Sequence, residues 1–151
     1  MDDALRLPTC SLGRAMEILG ERWSLLILRE CFYGVKRFSV MQRNLGIARN
    51  ILSARLQLLV RSGILERRRY QDEPERFEYK LTEKGLGLYP AVVAIMRWGD
   101  EHLSEDGPPV VLRHSCGHPA DPVLVCGHCR SGLDPHDVTP EPADVPVLAE
   151  R

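Results

Sequence analysis

Four polar side chains in the middle of the chain are spaced so that they would share one face of a helix. These residues are Arg49, Asn50, Ser53 and Gln57. Positions i, i+1, i+4 and i+8 form a single stripe on a helix with 3.6 residues per turn. Arginine, asparagine, serine and glutamine carry donors and acceptors that match base edges in the DNA major groove. The small Ala54 beside them would let the helix approach closely. The stripe predicts base recognition, and the simpler interpretation is an ordinary solvated helix face.

Such a stripe needs an amphipathic helix placed behind a turn. The apolar residues of this helix, predicted over residues 49–61, are Leu52, Leu56, Leu59 and Val60. They follow the i, i+4, i+7, i+8 pattern of a core face. A shorter helix is predicted over Val40–Leu45, with Ser39 as its N-cap and Gly46 in the turn between the two helices. Ser39 and Arg43 are expected to contact backbone phosphates. The arrangement predicts a helix-turn-helix.

An arginine-rich hairpin follows this pair of helices. The predicted strands are Ile64–Tyr70 and Arg76–Leu81, and the predicted tip is Gln71–Glu75. Side chains alternate along a strand, so Arg68 faces away from the arginines on either side of it. We expect Arg68 or Arg76 to reach a phosphate or the minor groove. At least one other arginine is expected to pair with Glu75 or Glu78. The hairpin therefore predicts the wing of a winged helix.

Charge is segregated along the chain although the net charge of the 151 residues is only −1. Residues 36–69 hold nine basic residues and one acid, whereas residues 104–151 hold three basic residues and eight acids. A basic middle within a neutral chain favours local phosphate contacts over a diffuse polycation. The charge pattern supports DNA binding only in combination with the helix-turn-helix and the wing.

Several classes of protein are excluded by motifs that the chain lacks. No apolar run approaches the roughly 18 residues that a membrane span needs, and the N-terminal MDDALRLPTC is too acidic and polar for a secretory signal. We find no Gly-rich phosphate loop, nucleophile elbow or recognisable catalytic carboxylate pair, so no catalytic residue is predicted. We expect a non-enzymatic, cytoplasmic, nucleoid-associated protein without a membrane partner.

Further helices flank the predicted winged helix. Ser11 is expected to cap a helix over Leu12–Leu19, and a largely buried helix is predicted from Arg22 to Phe32. Cys31 on the buried helix is expected in the core. Thr82 is predicted to cap one long helix that continues towards Ser104, with a bend near Pro90. An uncovered apolar face on a long terminal helix would favour a two-fold partner, although the face could also pack on its own domain.

These segments resemble the HxlR family of bacterial winged-helix transcription regulators, which are relatives of the MarR group. The resemblance is carried by Cys10, by LGERWSLLILRECFYGVKRFSVMQRNLGIARNILSARLQLLVRSGILERRRY, by PERFEYKLTEKG and by Trp98-Gly99. It covers about residues 10–103. It implies a dimeric DNA-binding regulator without catalytic activity, paired through its terminal helices, here Leu12–Leu19 and Val92–Trp98. Cys10 matches a position that resembles a redox or electrophile sensor in some members.

The cysteines and histidines near the C-terminus have the spacing of a metal site. Cys126-Gly-His-Cys129 resembles a zinc-ribbon knuckle, in which one turn supplies two thiolates. Tetrahedral zinc needs two more ligands. The predicted ligands are His114, Cys116, Cys126 and Cys129, with His118 as the alternative to His114. We predict a structural zinc, and a metal-free hairpin or a redox switch of the Cys126/Cys129 pair are the alternatives. The hairpin is expected to join Val110–Arg113 with residues 121–125.

The predicted fold is mainly α with a small β-hairpin (α+β), a winged helix-turn-helix with extra N- and C-terminal dimerisation helices. We predict a DNA-binding and dimerisation domain over residues 1–104, a zinc-ribbon-like extension over 108–133 and a disordered tail over 134–151. The predicted function is a sequence-specific regulator, a repressor, that acts as a homodimer on a roughly palindromic site in double-stranded DNA. The alternatives are a winged-helix protein-interaction module and a regulator responding to redox state or metal through Cys10 or Cys116–Cys129.

Overall fold

The computed structural model describes residues 10–141, which form six α-helices and one two-stranded antiparallel sheet. The elements are α1 (Ser11–Leu19), α2 (Arg22–Phe32), α3 (Phe38–Leu45), α4 (Arg49–Arg61), β1 (Leu65–Gln71), β2 (Arg76–Leu81), α5 (Glu83–Leu86) and α6 (Tyr89–Leu103). Residues 15–122 form one compact unit, and the described residues 10–14 and 123–141 belong to a second. In the described part of the chain, no helix is both long and apolar enough to cross a membrane.

The core of the larger unit lies where α2, α3 and α4 meet the base of the hairpin. Its fully buried apolar residues are Ile27, Leu28, Met41, Leu52, Leu56, Leu59 and Leu65. The three leucines of α4 repeat every three to four residues, which places them on one face of that helix. Burial of each such side chain stabilises the fold by about 1.5–3 kcal/mol. The α+β winged helix predicted from the sequence is confirmed.

The turn between α3 and α4 has the predicted glycine, but α3 begins earlier than predicted. Gly46 adopts the left-handed conformation, with φ 61°, and ends α3. The predicted N-cap Ser39 is wrong, because it lies inside the helix and Arg37 occupies the cap position. The backbone around Arg37 forms a bridge with Glu78 of β2. Because the backbone at Arg37 is extended and paired with the wing, α3 begins at the next residue, Phe38.

The hairpin is tied to the end of α4 at its base. β1 and β2 pair from Leu65 opposite Leu81 towards the tip, with an irregularity between Arg69 and Gln71. The hydroxyl of Thr82 donates to the carbonyl of Gly63 at 2.5 Å, and the backbone N–H of Thr82 donates to the carbonyl of Ile64 at 3.1 Å. These bonds hold the start of β1 against the residue that follows β2. Wing and α4 are therefore fixed to each other.

The single long helix predicted after Thr82 is wrong. The chain forms two helices that are separated at Gly87 and Leu88. Thr82 does cap α5, because its hydroxyl oxygen accepts from the backbone N–H of Gly85 at 3.1 Å. Pro90 lies in the first turn of α6, where its missing N–H costs no helical hydrogen bond. The proline therefore starts a new helix where a bend was predicted.

The first two helices lie close to their predicted positions. α2 spans the predicted residues, and the predicted burial of Cys31 is confirmed by an exposure of 8%. Burial raises the pKa of the Cys31 thiol to about 12. The predicted cap Ser11 is wrong, since it is the first residue of α1. Instead, the carbonyl of Cys10 accepts from the N–H of Arg14, so Cys10 precedes the helix.

The residues after α6 form tight turns. Residues 112 and 113 pair with 119 and 120, through an Arg113–Pro119 bridge and a 2.7 Å bond from the N–H of Ala120 to the carbonyl of Leu112. The predicted pairing with residues 121–125 is therefore wrong. The short span between the partners makes the local turn easier to close.

In the smaller unit, Val125 pairs with Gly132. Within the predicted tail, Pro135–Asp137 forms a 3-10 turn, and residues 142–151 lie outside the described residues.

Candidate nucleic-acid interface

The predicted recognition stripe lies on the outer face of α4. Arg49, Asn50 and Gln57 are exposed, Ser53 is half-buried and the adjacent Ala54 is exposed. The buried leucines of α4 occupy the opposite face. Side chains with base-matching donors and acceptors are thus presented together on a helix that the core holds rigidly. This geometry can place polar groups in a major groove.

The preceding helix α3 exposes one hydroxyl and one positive charge that were predicted to contact DNA. Ser39 and Arg43, the predicted phosphate contacts, are both exposed on α3. The guanidinium of Arg49 lies 5.4 Å from the centre of the Phe38 ring, which belongs to the first turn of α3. Such a cation–π contact restricts the rotamers of Arg49. The side chain at the start of α4 is therefore partly ordered in the absence of DNA.

The wing arginines divide into ion-paired and unpaired groups. Arg69 contacts Asp72 at 3.3 Å and Glu75 at 3.2 Å, so the predicted wing ion pair is confirmed. Arg68 lies 3.3 Å from Glu66 in an exposed pair. Arg76 is exposed, and none of the ion pairs formed by residues 10–141 includes it. Arg67 is also outside these ion pairs, but its guanidinium lies 3.5 Å from the centre of the Phe77 ring. Arg76 is therefore the wing arginine that we expect to be most available for a phosphate.

Two further arginines beside the interface were missed in the sequence. The guanidinium of Arg37 lies 4.8 Å from the centre of the Tyr70 ring, which places a cation between α3 and the wing. Arg55 of α4 contacts Glu21 at 3.7 Å across the start of α2. Both belong to the basic middle of the chain, but only the tertiary fold shows which basic residues border the stripe.

A buried carboxylate positions α3 relative to α2. Glu30 is 4% exposed, and its two oxygens accept from Asn44 at 2.7 Å and from Arg29 at 2.9 Å. A buried carboxylate is tolerated only when it is paired and hydrogen-bonded. The Asn44 bond connects α2 to the last turn of α3, directly before the Gly46 turn. The sequence signal for this contact was Glu30, the one acidic residue of the largely apolar helix α2. Its partner Asn44 could not be predicted, because the two residues lie on different helices.

The predicted metal ligands lie in two tight turns, one in each unit. In the larger unit, the N–H of His114 donates to the carbonyl of His118 at 2.9 Å, and the N–H of Cys116 donates to Nδ1 of His114 at 3.3 Å. In the smaller unit, the N–H of Cys126 donates to the carbonyl of Ser131 at 2.9 Å. One turn therefore holds His114, Cys116 and His118, and the other holds Cys126 and Cys129.

The turn that holds Cys129 favours the ionised form of its thiol. Hydrogen bonds to its sulfur from Ser131, first from the backbone and then from the side chain, lower the pKa of the Cys129 thiol, and Cys126 adds to this effect. A thiolate is the form that binds metal or reacts with an oxidant. Within residues 10–141 no group of three or more His, Cys, Asp or Glu side chains has the arrangement of a metal site. The zinc site stays a prediction.

Fold and site together define a winged-helix protein of the DNA-binding class. The chain belongs to the HxlR-like helix-turn-helix family, whose model matches residues 18–107. This match includes α2 to α6, and therefore the recognition stripe, the wing and the helix that follows it. The family predicted from the sequence is confirmed, and the family and its relatives are transcriptional regulators.

Known relatives share most of the chain. An uncharacterized HTH-type transcriptional regulator of Mycobacterium tuberculosis is 54% identical over 134 residues, which are 87% of this chain and 85% of the relative. The crystal structure of PA1607, a candidate transcription factor, has a TM-score of 0.82 at 34% identity, covering 91% of this chain and 98% of that chain. The redox regulator HypR in its reduced form has a TM-score of 0.59 at 28% identity, covering 63% of this chain and 95% of that chain.

Proposed function

We propose that the protein is a repressor that binds a roughly palindromic operator as a homodimer. The observation that carries this proposal is the exposed polar stripe of α4 beside a wing with an unpaired arginine. One helix-turn-helix covers only a few base pairs, and a two-fold partner would double the contacts and require a symmetric site. A dimer bound across a promoter would exclude the polymerase. The proposed partner of the protein is therefore the double-stranded DNA of the nucleoid, in the cytoplasm.

Footprinting of the promoter region next to the gene tests this function. We expect a protected site with two related half-sites, whose centres are about one helical turn of DNA apart or a small multiple of it. Uniform protection of all DNA, or no protection at protein concentrations that saturate related operators, would contradict a sequence-specific repressor.

Exposed apolar residues on α6 support the homodimer. Ile95 and Trp98, which are one turn apart on the same face of the helix, are 55% and 56% exposed. Large apolar side chains grouped on one helix face favour burial against a partner. On α1, Leu12 and Met16 are also exposed. We propose that α6 pairs with its copy in the partner subunit, with α1 contributing to the same dimer.

Trp98→Glu is expected to convert the dimer to a monomer at micromolar concentration. A buried charge without a partner would oppose association, and the apolar contact would be lost. Light scattering after gel filtration measures the mass. Trp98→Phe, which keeps an aromatic ring, is the control and should remain dimeric. A Trp98→Glu variant of unchanged mass would place the dimer contact elsewhere.

Arg76→Ala is expected to weaken binding to every DNA sequence by a similar factor. Loss of one phosphate contact should reduce the slope of log affinity against log salt by about 1. Titrations of operator and random duplexes at several salt concentrations give this slope. Arg69→Ala is the matched control, because its charge is already neutralised by Asp72 and Glu75. Equal slopes for Arg76→Ala and the unmodified protein would remove Arg76 from the interface.

Control by oxidation is a second proposal for the same regulator. The similarity to the redox regulator HypR favours it, together with the position of Cys10 directly before α1. Cys10 therefore stays the predicted redox residue, and the structural zinc stays the predicted role of the C-terminal ligands.

A further inference from the structure

A cavity of about 300 Å³ lies between α6 and residues 108–122, within the larger unit. Its wall on the side of α6 is formed by Val93, Met96, Arg97 and Asp100. The remaining lining is mostly apolar. It comes from the segment 108–122 and includes Leu112, Ala120, Asp121 and Pro122. This volume is at the lower end of the range for small-molecule sites, so the cavity would hold one small molecule.

The cavity and the proposed dimer contact use opposite faces of α6. The lining residues from Val93 to Asp100 recur at i, i+3, i+4 and i+7, which is one face of a helix. Ile95 and Trp98 lie about half a turn away from that face. A second copy of the chain on the Trp98 face would therefore leave the cavity open to a ligand.

The charges that line the cavity are not balanced. Arg97 is committed to Asp121, with 2.9 Å between Nη1 and Oδ1, and to the carbonyl of Pro122. Asp100 is half-buried, and among residues 10–141 it belongs to none of the ion pairs. One arginine and two aspartates give the lining a net charge of −1. A carboxylate beside an apolar surface is best satisfied by a cation that also has an apolar body.

We propose that this cavity is the binding site of a small lipophilic amine, whose ammonium group pairs with Asp100. The apolar part of the molecule would pack against Val93, Met96 and Leu112. Binding itself does not depend on DNA, whereas a regulatory effect rests on the proposed repressor function. Because α6 also carries the proposed dimer contact, an occupied cavity would alter the spacing of the two recognition helices.

Three probes of similar size test the chemistry of the site: phenethylamine, phenethyl alcohol and phenylacetate. Calorimetry with the full chain is expected to give affinities about tenfold or more higher for phenethylamine than for the alcohol, since a charge-assisted contact is stronger than a neutral one. Phenylacetate should bind most weakly. Asp100→Asn should remove the preference for the amine. Glu101→Gln makes the same change of charge on an exposed neighbour outside the cavity, and it should keep the preference.

Two outcomes overturn the proposal. One is equal affinity for the three probes or no binding of phenethylamine. The other is a preference that Asp100→Asn leaves intact. Ala120→Phe gives an independent test, because a larger side chain should fill the cavity and abolish binding of all the probes in a chain whose circular dichroism is unchanged. Operator titrations without probe separate the two proposals: intact operator binding with failed amine binding removes only the amine site.

Discussion

Arg49→Ala is expected to weaken operator binding by about 10- to 100-fold, which corresponds to the loss of one bidentate contact to a base. Arg49 starts the recognition helix and is exposed, and Phe38 restricts its side chain. Binding to a random duplex should fall only a few-fold, because phosphate contacts elsewhere are unchanged. Fluorescence anisotropy with the footprinted operator and a scrambled duplex, at one fixed salt concentration, measures both affinities.

Arg61→Ala provides the control for this experiment. Arg61 is an exposed arginine in the last turn of the same helix, about 18 Å along the helix axis from Arg49. Arg61→Ala therefore removes the same charge far from the N-terminal part of the helix, which is the part that contacts base edges in a helix-turn-helix. Its effect should be small and similar on both duplexes. If Arg49→Ala lowered operator and random binding equally, Arg49 would be a phosphate contact without a role in base recognition.

Gly85→Ala is expected to lower the free energy of unfolding by about 2–3 kcal/mol, which is a large effect for a single methyl group. A Cβ at this position would lie 2.2 Å from the carbonyl oxygen of Ile64 and 3.1 Å from a methyl carbon of Leu81. The Ile64 contact is with backbone, which cannot move without disturbing the start of β1. In a domain of this size, where 1 kcal/mol corresponds to about 4 °C, the melting temperature should fall by about 8–12 °C.

Gly87→Ala is the matched control for this substitution. Gly87 lies two residues further on and has helical φ and ψ, and an added Cβ would be 3.4 Å from the nearest atom, the carbonyl oxygen of Lys84. Its melting temperature should change by only a few degrees, and it could rise because alanine restricts the unfolded chain. Equal melting temperatures for Gly85→Ala and Gly87→Ala would show that the contact of α5 with β1 is loose in solution.

The sequence predicted the elements whose signals are local. The bounds of α2 and α4 were predicted correctly because each helix has an apolar pattern and ends beside a residue that stops it, as Gly63 does after α4. β2 was also predicted with its bounds, and the family was identified from the segments that these elements contain. The exposed stripe on α4 followed from helix geometry alone.

The errors arose where contacts distant in sequence decided the local structure. Ser39 has the composition of an N-cap, but pairing of the backbone near Arg37 with β2 sets the beginning of α3. The cavity beside α6 could not be predicted, because its lining residues Asp100 and Asp121 are far apart in sequence. The Glu30–Asn44 bond across α2 and α3 was missed for the same reason. These features depend on the packing of segments that are distant in sequence, and the periodicity of apolar residues within one segment does not predict that packing.

The hydrogen bonds of Thr82 at the base of the wing limit how this protein can be switched. They join the residues after α4 to the residue after β2, and Lys84 adds a 2.7 Å bond to the carbonyl of Ser62. α4 and the base of the hairpin are therefore held together within one chain. In the proposed dimer, we expect a signal to act on the geometry between the two subunits. An isolated monomer should then bind a half-site with the same low affinity in the presence and absence of any effector.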